Sequence, residues 1–285
     1  MQRRPYGKTG VDLSIIGFGG FTLSGLPQEE ASRLVDKVFD RGINYFDVAP
    51  SYGNAEELLG PALKGKRQDV FLACKTLKRS AREAEQEFVS SLKRLRTDEF
   101  DLYQLHSVNK LEDLEALTAP RGALDFLVKA REKGMCRFIG FSSHSEEVAL
   151  RLLEAFPFDS VLFPVNWVSM LNSGYGKALL GKAAEKGVAR LAIKAIAMTA
   201  WGPEEERTYP NCWYHPVEAP DLAMTVLRFT LSQDVTAAIP PADSRFYDLA
   251  LEVGDDFKPI SEAEIERLRD IAAGIAPLFG SGSRS

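Results

Sequence analysis

One alternation, repeated eight times, sets what this chain can fold into. Short apolar runs suited to strands alternate with longer amphipathic stretches suited to helices. The strand runs fall at Ile15–Gly19, Tyr45–Ala49, Val70–Lys75, Leu102–His106, Arg137–Phe141, Val161–Val165, Arg190–Ile196 and Ala237–Ile239. Helices are expected at Gln28–Arg41, Ala55–Leu63, Ala81–Leu95, Gly122–Lys133, Glu146–Ala155, Gly176–Lys186 and Ala219–Ser232, then at Phe246–Glu252 and Glu262–Ala273. Runs such as Val70-Phe71-Leu72-Ala73 stay apolar on successive residues, as a strand buried on both faces must. Alternating β and α units demand right-handed crossovers and a parallel sheet. Eight such units in about 250 residues predict a (β/α)8 TIM barrel.

An open doubly wound sheet fits less well. Gly17-Phe18-Gly19-Gly20 lacks the third glycine of a dinucleotide fingerprint, and Leu26-Pro27 interrupts the stretch before a helix can start. Three expected helices end in a cation followed by glycine: Arg41-Gly42, Lys133-Gly134 and Lys186-Gly187. Tyr6-Gly7-Lys8-Thr9-Gly10 reads as an N-terminal β-hairpin that plugs the barrel bottom. With no linker in between, residues 1–279 are expected to form a single barrel domain and residues 280–285 a disordered tail.

Composition excludes several partners. The formal net charge is −5, against the basic face of a general nucleic-acid binder. No apolar run approaches the roughly 18 residues of a membrane span. Cys74, Cys136 and Cys212 are odd in number and far apart, so neither a disulfide framework nor a zinc site is expected. Three histidines with no H-E-x-x-H spacing give no metal site either. A reducing, cytoplasmic setting fits this pattern.

In such a barrel the active site forms at the C-terminal ends of the strands. The second run ends in Asp47 with Tyr52 just beyond it, the third in Lys75 and the fourth in His106. A free tyrosine, with a pKa of about 10, is a poor proton donor at neutral pH. A neighbouring ammonium stabilises its phenolate, a carboxylate holds that ammonium, and a histidine can orient a carbonyl or relay a proton. The set suits protonation of an oxygen that becomes an alkoxide, the proton half of carbonyl reduction. The hydride half needs a cofactor, since no side chain supplies one.

These residues stand in stretches that resemble the aldo-keto reductase superfamily. The stretches are Gly42 to Gly60, Phe71 to Thr76, Asp101 to Ser107, and Ile139 to His144, in order and on expected strand ends. The resemblance implies a tetrad of Asp47, Tyr52, Lys75 and His106. Tyr52 is then the general acid, with Lys75, paired to Asp47, lowering its pKa, and His106 orienting the substrate. It further implies a nicotinamide cofactor across the rim, NADP(H) ahead of NAD(H), with Gly20, Ser142, Ser143, Lys194, Pro241 and Arg245 as contacts. The family's Ser-Asn pair after strand five reads Ser142-Ser143 here, and the lysine usual after strand eight is missing. The resemblance also implies a monomer acting on a small carbonyl compound.

Each residue alone has a plainer reading. Asp47 and Lys75 are ordinary strand-end charges, Tyr52 a packed aromatic, and His106 a hydrogen-bonded core histidine. It is their joint occurrence on adjacent strands that favours chemistry. Cys74 is expected on the opposite strand face as an inert apolar residue. His144 is weighed evenly between a substrate role and a cofactor or capping role. The long segment from Met198 to Pro216 offers Trp201 and Trp213 as substrate walls, against a self-packed loop cluster. Two rivals remain open: a barrel enzyme forming a Schiff base on Lys75 or Lys194, and a non-catalytic nicotinamide-binding regulator.

Overall fold

The computed structural model describes residues 1–280. The barrel strands are β1 (Phe18–Gly19), β2 (Tyr45–Asp47), β3 (Phe71–Thr76), β4 (Phe100–Leu105), β5 (Cys136–Ser142), β6 (Ser160–Pro164), β7 (Ala189–Ile193) and β8 (Ala237–Ala238). Each is parallel to the next, in chain order. The sheet closes where Ile16 bridges Ala238, through Gly17 N to Ala238 O (3.0 Å) and Ala238 N to Ile15 O (2.8 Å). The fold is the expected (β/α)8 barrel.

Strand alternation divides the core in two. Phe46, Leu72, Cys74 and Tyr103 face outward against the helices. Tyr45, Phe71, Ala73, Leu102 and Leu191 face inward, and the hairpin Arg3–Pro5/Asp12–Ser14 closes them from below with Tyr6 and Leu13. The Tyr6 ring lies 4.9 Å from that of Phe71. Gly17 is needed beside this layer, because a Cβ there would come within 2.5 Å of the Tyr45 ring. The same parity, carried one step up, aims Asp47, Lys75 and Gln104 at the top of the barrel.

Helix punctuation follows the sequence. Ser80, Ser145 and Ser261 each accept a first-turn amide, and Ser261 with Glu264 forms a full capping box. Gly42, Gly134 and Gly187 end their helices with positive φ, as their cation–glycine pairs predict. Three departures are informative. The β7 run stops at Ile193 rather than Ile196, because Lys194 turns into the left-handed region at φ 67°. Helices Leu111–Thr118 and Trp167–Ser173 interrupt expected loops; the first buries little but Leu117, and the second is too short to show a period. The long segment carries an antiparallel pair, Ala197–Thr199 with His215–Pro216. Of the expected tail, residues 281–285 lie outside the described residues. No described helix is long and apolar enough to cross a membrane.

Candidate active site

The barrel geometry brings four elements to one point. Asp47 ends β2, Lys75 stands one residue before the end of β3, and His106 follows β4. Tyr52 folds back over them on the loop after β2, its amide bonded to Ala49 O at 3.0 Å. The Lys75 ammonium makes a short ion pair with Asp47 Oδ1 and donates to the Tyr52 hydroxyl at 3.2 Å. Lys75 is fully buried and Asp47 nearly so. The His106 ring meets Tyr52 edge-on, with centroids 5.9 Å apart.

Two supporting residues escaped the sequence reading. Gln104 Nε2 donates to Asp47 Oδ2 at 2.9 Å, and the Tyr45 hydroxyl donates to the same oxygen at 3.2 Å. Both were findable by parity, since each lies two residues from a tetrad member on the same inward face. Their donors help to satisfy a carboxylate that burial would otherwise penalise.

Burial and neighbouring charges set the protonation of Tyr52. Burial raises the Tyr52 pKa, Lys75 pulls it down, and the net shift is upward. The sequence expectation of a lowered value is therefore corrected: the ammonium limits the rise but does not reverse it. Tyr52 stays protonated at neutral pH, the state a proton donor needs. Burial opposes the charge on Lys75, but Asp47 and Tyr52 outweigh it and hold Lys75 above the ordinary lysine range. Burial, then Lys75, lower His106 to about 2, and burial, then Lys194, lower His144 to about 3. Both imidazoles are neutral at working pH.

That has a measurable consequence. In the unfolded chain both histidines bind a proton below about 6.5, whereas the native state refuses it until about 2 and about 3. The unfolded state thus holds more protons in this window, and stability falls as pH drops below about 6.5. Urea unfolding at pH values between about 7 and 4 should show this fall, and His106→Gln should flatten the slope. An unchanged slope in His106→Gln would count against a buried neutral His106.

A pocket of about 390 Å³ opens above Asp47, Tyr52 and His106 and reaches solvent. Tyr52, His106, Ser142, Lys194 and Trp213 line it, together with His144. The segment after β7 roofs it and is tied across the mouth by Asn211, whose Nδ2 donates to Ser24 O at 3.2 Å. Other expected contacts lie off this lining. Gly20 packs on Val48. Ser143 turns into the backbone, donating to Ser145 O at 3.1 Å and accepting from Ser145 N. Pro241 is buried between its lining neighbours Pro240 and Ala242. Arg245 is outside, with Nε and an Nη held by both oxygens of Asp243 at 2.7 and 2.8 Å. Trp201 points into its own segment, donating to Cys212 O at 2.7 Å. The loop cluster is therefore split: Trp201 is self-packed, while Trp213 faces the pocket. Cys74 faces outward, with burial raising its thiol pKa. Among the described residues no His, Cys, Asp and Glu cluster suits a metal.

Comparison with known proteins bears on the family and the fold. The chain is 25% identical to the uncharacterized oxidoreductase YqkF of Bacillus subtilis, over 94% of this chain and 96% of that one. It is 28% identical to L-galactose dehydrogenase of Arabidopsis thaliana, over 72% of this chain and 69% of the relative. An aldo-keto reductase structure from Pseudomonas aeruginosa superposes with a TM-score of 0.72 at 25% identity, covering 90% of this chain and 95% of the other. The aldo-keto reductase AKR11C1 of Bacillus halodurans shares the fold at TM-score 0.76, with 22% identity over 100% and 98% of the two chains. The model of the aldo/keto reductase family matches residues 15–245, from the first barrel strand to the helix after the last, and the chain belongs to that family.

Proposed function

We propose that this protein reduces a small aldehyde or ketone to the alcohol, with a reduced nicotinamide dinucleotide as electron donor and Tyr52 as proton donor. The observation that carries this reading is the Asp47–Lys75–Tyr52 chain of contacts at the floor of the pocket. When bound, the dinucleotide supplies the hydride.

The residues present fit such a group. His106 Nδ1 and His144 Nε2 are buried with no protein partner, so both remain available to polar atoms of a ligand. Gly19 lines the same pocket beside Ile239, Pro240 and Ala242. Ser142, His144 and the rim at Pro240 and Ala242 would hold the dinucleotide.

The side chains then have separate tasks. Tyr52 places a neutral hydroxyl over the pocket floor and gives its proton to the carbonyl oxygen as negative charge develops there. Lys75 stabilises the phenolate left behind, and Asp47 keeps Lys75 charged and in place. Neutral His106 donates or accepts a hydrogen bond without adding charge. Trp213 bounds the substrate side.

For the dinucleotide we propose NADP(H) ahead of NAD(H), with Arg245 as the cation for the extra phosphate. Asp243 pairs with Nε and one Nη of Arg245 and offsets its charge, which leaves the other Nη for that phosphate. The preference is therefore expected to be small, and Asp243→Asn should widen it by freeing the guanidinium. A fluorescence titration with NADPH and NADH, on wild type and Asp243→Asn, measures both. Tighter NADH binding by both proteins would reverse this choice, and binding of neither dinucleotide would remove the reductase reading.

A further inference from the structure

Lys194 occupies an unusual place in the pocket. It is the first residue after β7 and sits at φ 67°, a region that long side chains seldom adopt. Its carbonyl is fixed by Asn166 Nδ2 and Ala197 N, both at 3.1 Å, so surrounding structure holds the strained backbone. Such strain concentrates where a side chain must be aimed. The side chain enters the pocket against two rings, with Nζ 4.0 Å from the Trp213 centroid and 4.8 Å from that of Tyr214.

Among the described residues Lys194 makes no ion pair and its Nζ has no hydrogen-bond acceptor. The charged and titratable groups around it do not compensate. Asp47 is already spent on Lys75. His106 and His144 are neutral. The Cys212 thiol is pushed by burial up to about 11 and stays protonated, as does Tyr214. Burial lowers Lys194 to about 7, and the Lys75 ammonium adds to the fall. The Trp213 and Tyr214 rings favour the charged form and offset part of this fall. Lys75 and Lys194 thus divide into opposite types. The first is locked as an ammonium; the second carries a free lone pair on much of the population at neutral pH, as amine nucleophiles do.

We propose that Lys194 is a nucleophilic amine that captures carbonyl compounds in this pocket as an imine, a second carbonyl chemistry beside reduction. The nitrogen lone pair attacks the carbonyl carbon, and a nitrogen proton passes to the carbonyl oxygen. The C–O bond then breaks, the second nitrogen proton leaves with that oxygen as water, and a C=N bond remains. No electrons are exchanged and no co-reactant is needed. The inference rests on the reading that the pocket admits carbonyl compounds, and not on any step of hydride transfer.

The test is trapping without dinucleotide. The full-length protein is incubated with benzaldehyde and sodium cyanoborohydride, digested, and each lysine scored by mass spectrometry. The expected result is one dominant benzyl adduct on Lys194, formed at least about tenfold faster than on any exposed lysine, with Lys75 unlabelled. Its rate should rise as pH passes about 7 and then level, while exposed lysines keep gaining towards about 10.4. Lys194→Arg keeps the cation and should fall to background labelling with its thermal unfolding preserved. Equal labelling of Lys194→Arg and wild type, or an even spread over exposed lysines, overturns the proposal. Reduction of benzaldehyde by the dinucleotide-loaded enzyme with no Lys194 adduct also overturns it, and leaves the reductase reading standing. A Lys194 adduct in a protein that never oxidises a dinucleotide supports the amine and overturns the reductase reading alone.

Discussion

Tyr52→Phe should lower turnover by about 10²–10⁴-fold, the span that a positioned general acid contributes. The substitution removes one oxygen and little else. The ring keeps its packing on Phe21, with centroids 5.1 Å apart, and its edge contact with His106. Dinucleotide affinity should therefore stay close to wild type, and the loss should appear in kcat rather than in binding. The upward shift at Tyr52 strengthens this expectation, because a tyrosine protonated at neutral pH gives up its proton only as the alkoxide forms. Steady-state rates with a panel of aldehydes, beside a fluorescence titration, separate the two effects. Wild-type rates in Tyr52→Phe would mean that another group supplies the proton.

Lys75→Met should damage both stability and activity. Removing one partner of a buried ion pair costs about 3–5 kcal/mol, since the other charge is left uncompensated. Here that charge is Asp47, which would keep only the Gln104 and Tyr45 donors. The double variant Asp47→Asn/Lys75→Met removes both charges and should recover much of the stability. It should not recover turnover, because Tyr52 loses the ammonium that stabilises its phenolate. Urea unfolding and kcat, measured on wild type, single and double variants, therefore diverge. Recovery of both together would assign Lys75 a purely structural task.

The sequence was most readable where a physical period governs it. Alternation marked the eight strands, and strand parity with the barrel rule placed Asp47, Lys75 and His106 at the top. Gln104 and Tyr45 follow the same parity, but a glutamine and a tyrosine in an apolar strand give no sign of a buried carboxylate nearby. Contacts on loops were less legible, because their side-chain directions depend on local turns. Ser143 stands beside Ser142, yet a backbone turn takes its hydroxyl away from the pocket. Arg245 carries the expected charge, yet Asp243, two residues earlier, occupies its guanidinium. Lys194 was expected as a cofactor contact; no pattern in Arg190–Ile196 reveals that the strand ends early in a left-handed residue beside two rings from a distant segment.

In the proposed reaction, hydride and proton reach the same carbonyl from two sources, the dinucleotide and Tyr52. Single turnover of an aldehyde with a reduced nicotinamide that carries deuterium at both positions of its reactive carbon separates the two sources. The alcohol should carry one deuterium on the former carbonyl carbon and none on its oxygen, and in Tyr52→Phe it should form at a rate lowered in step with turnover. An alcohol without the label, or tight dinucleotide binding with no alcohol from any aldehyde tried, would contradict it.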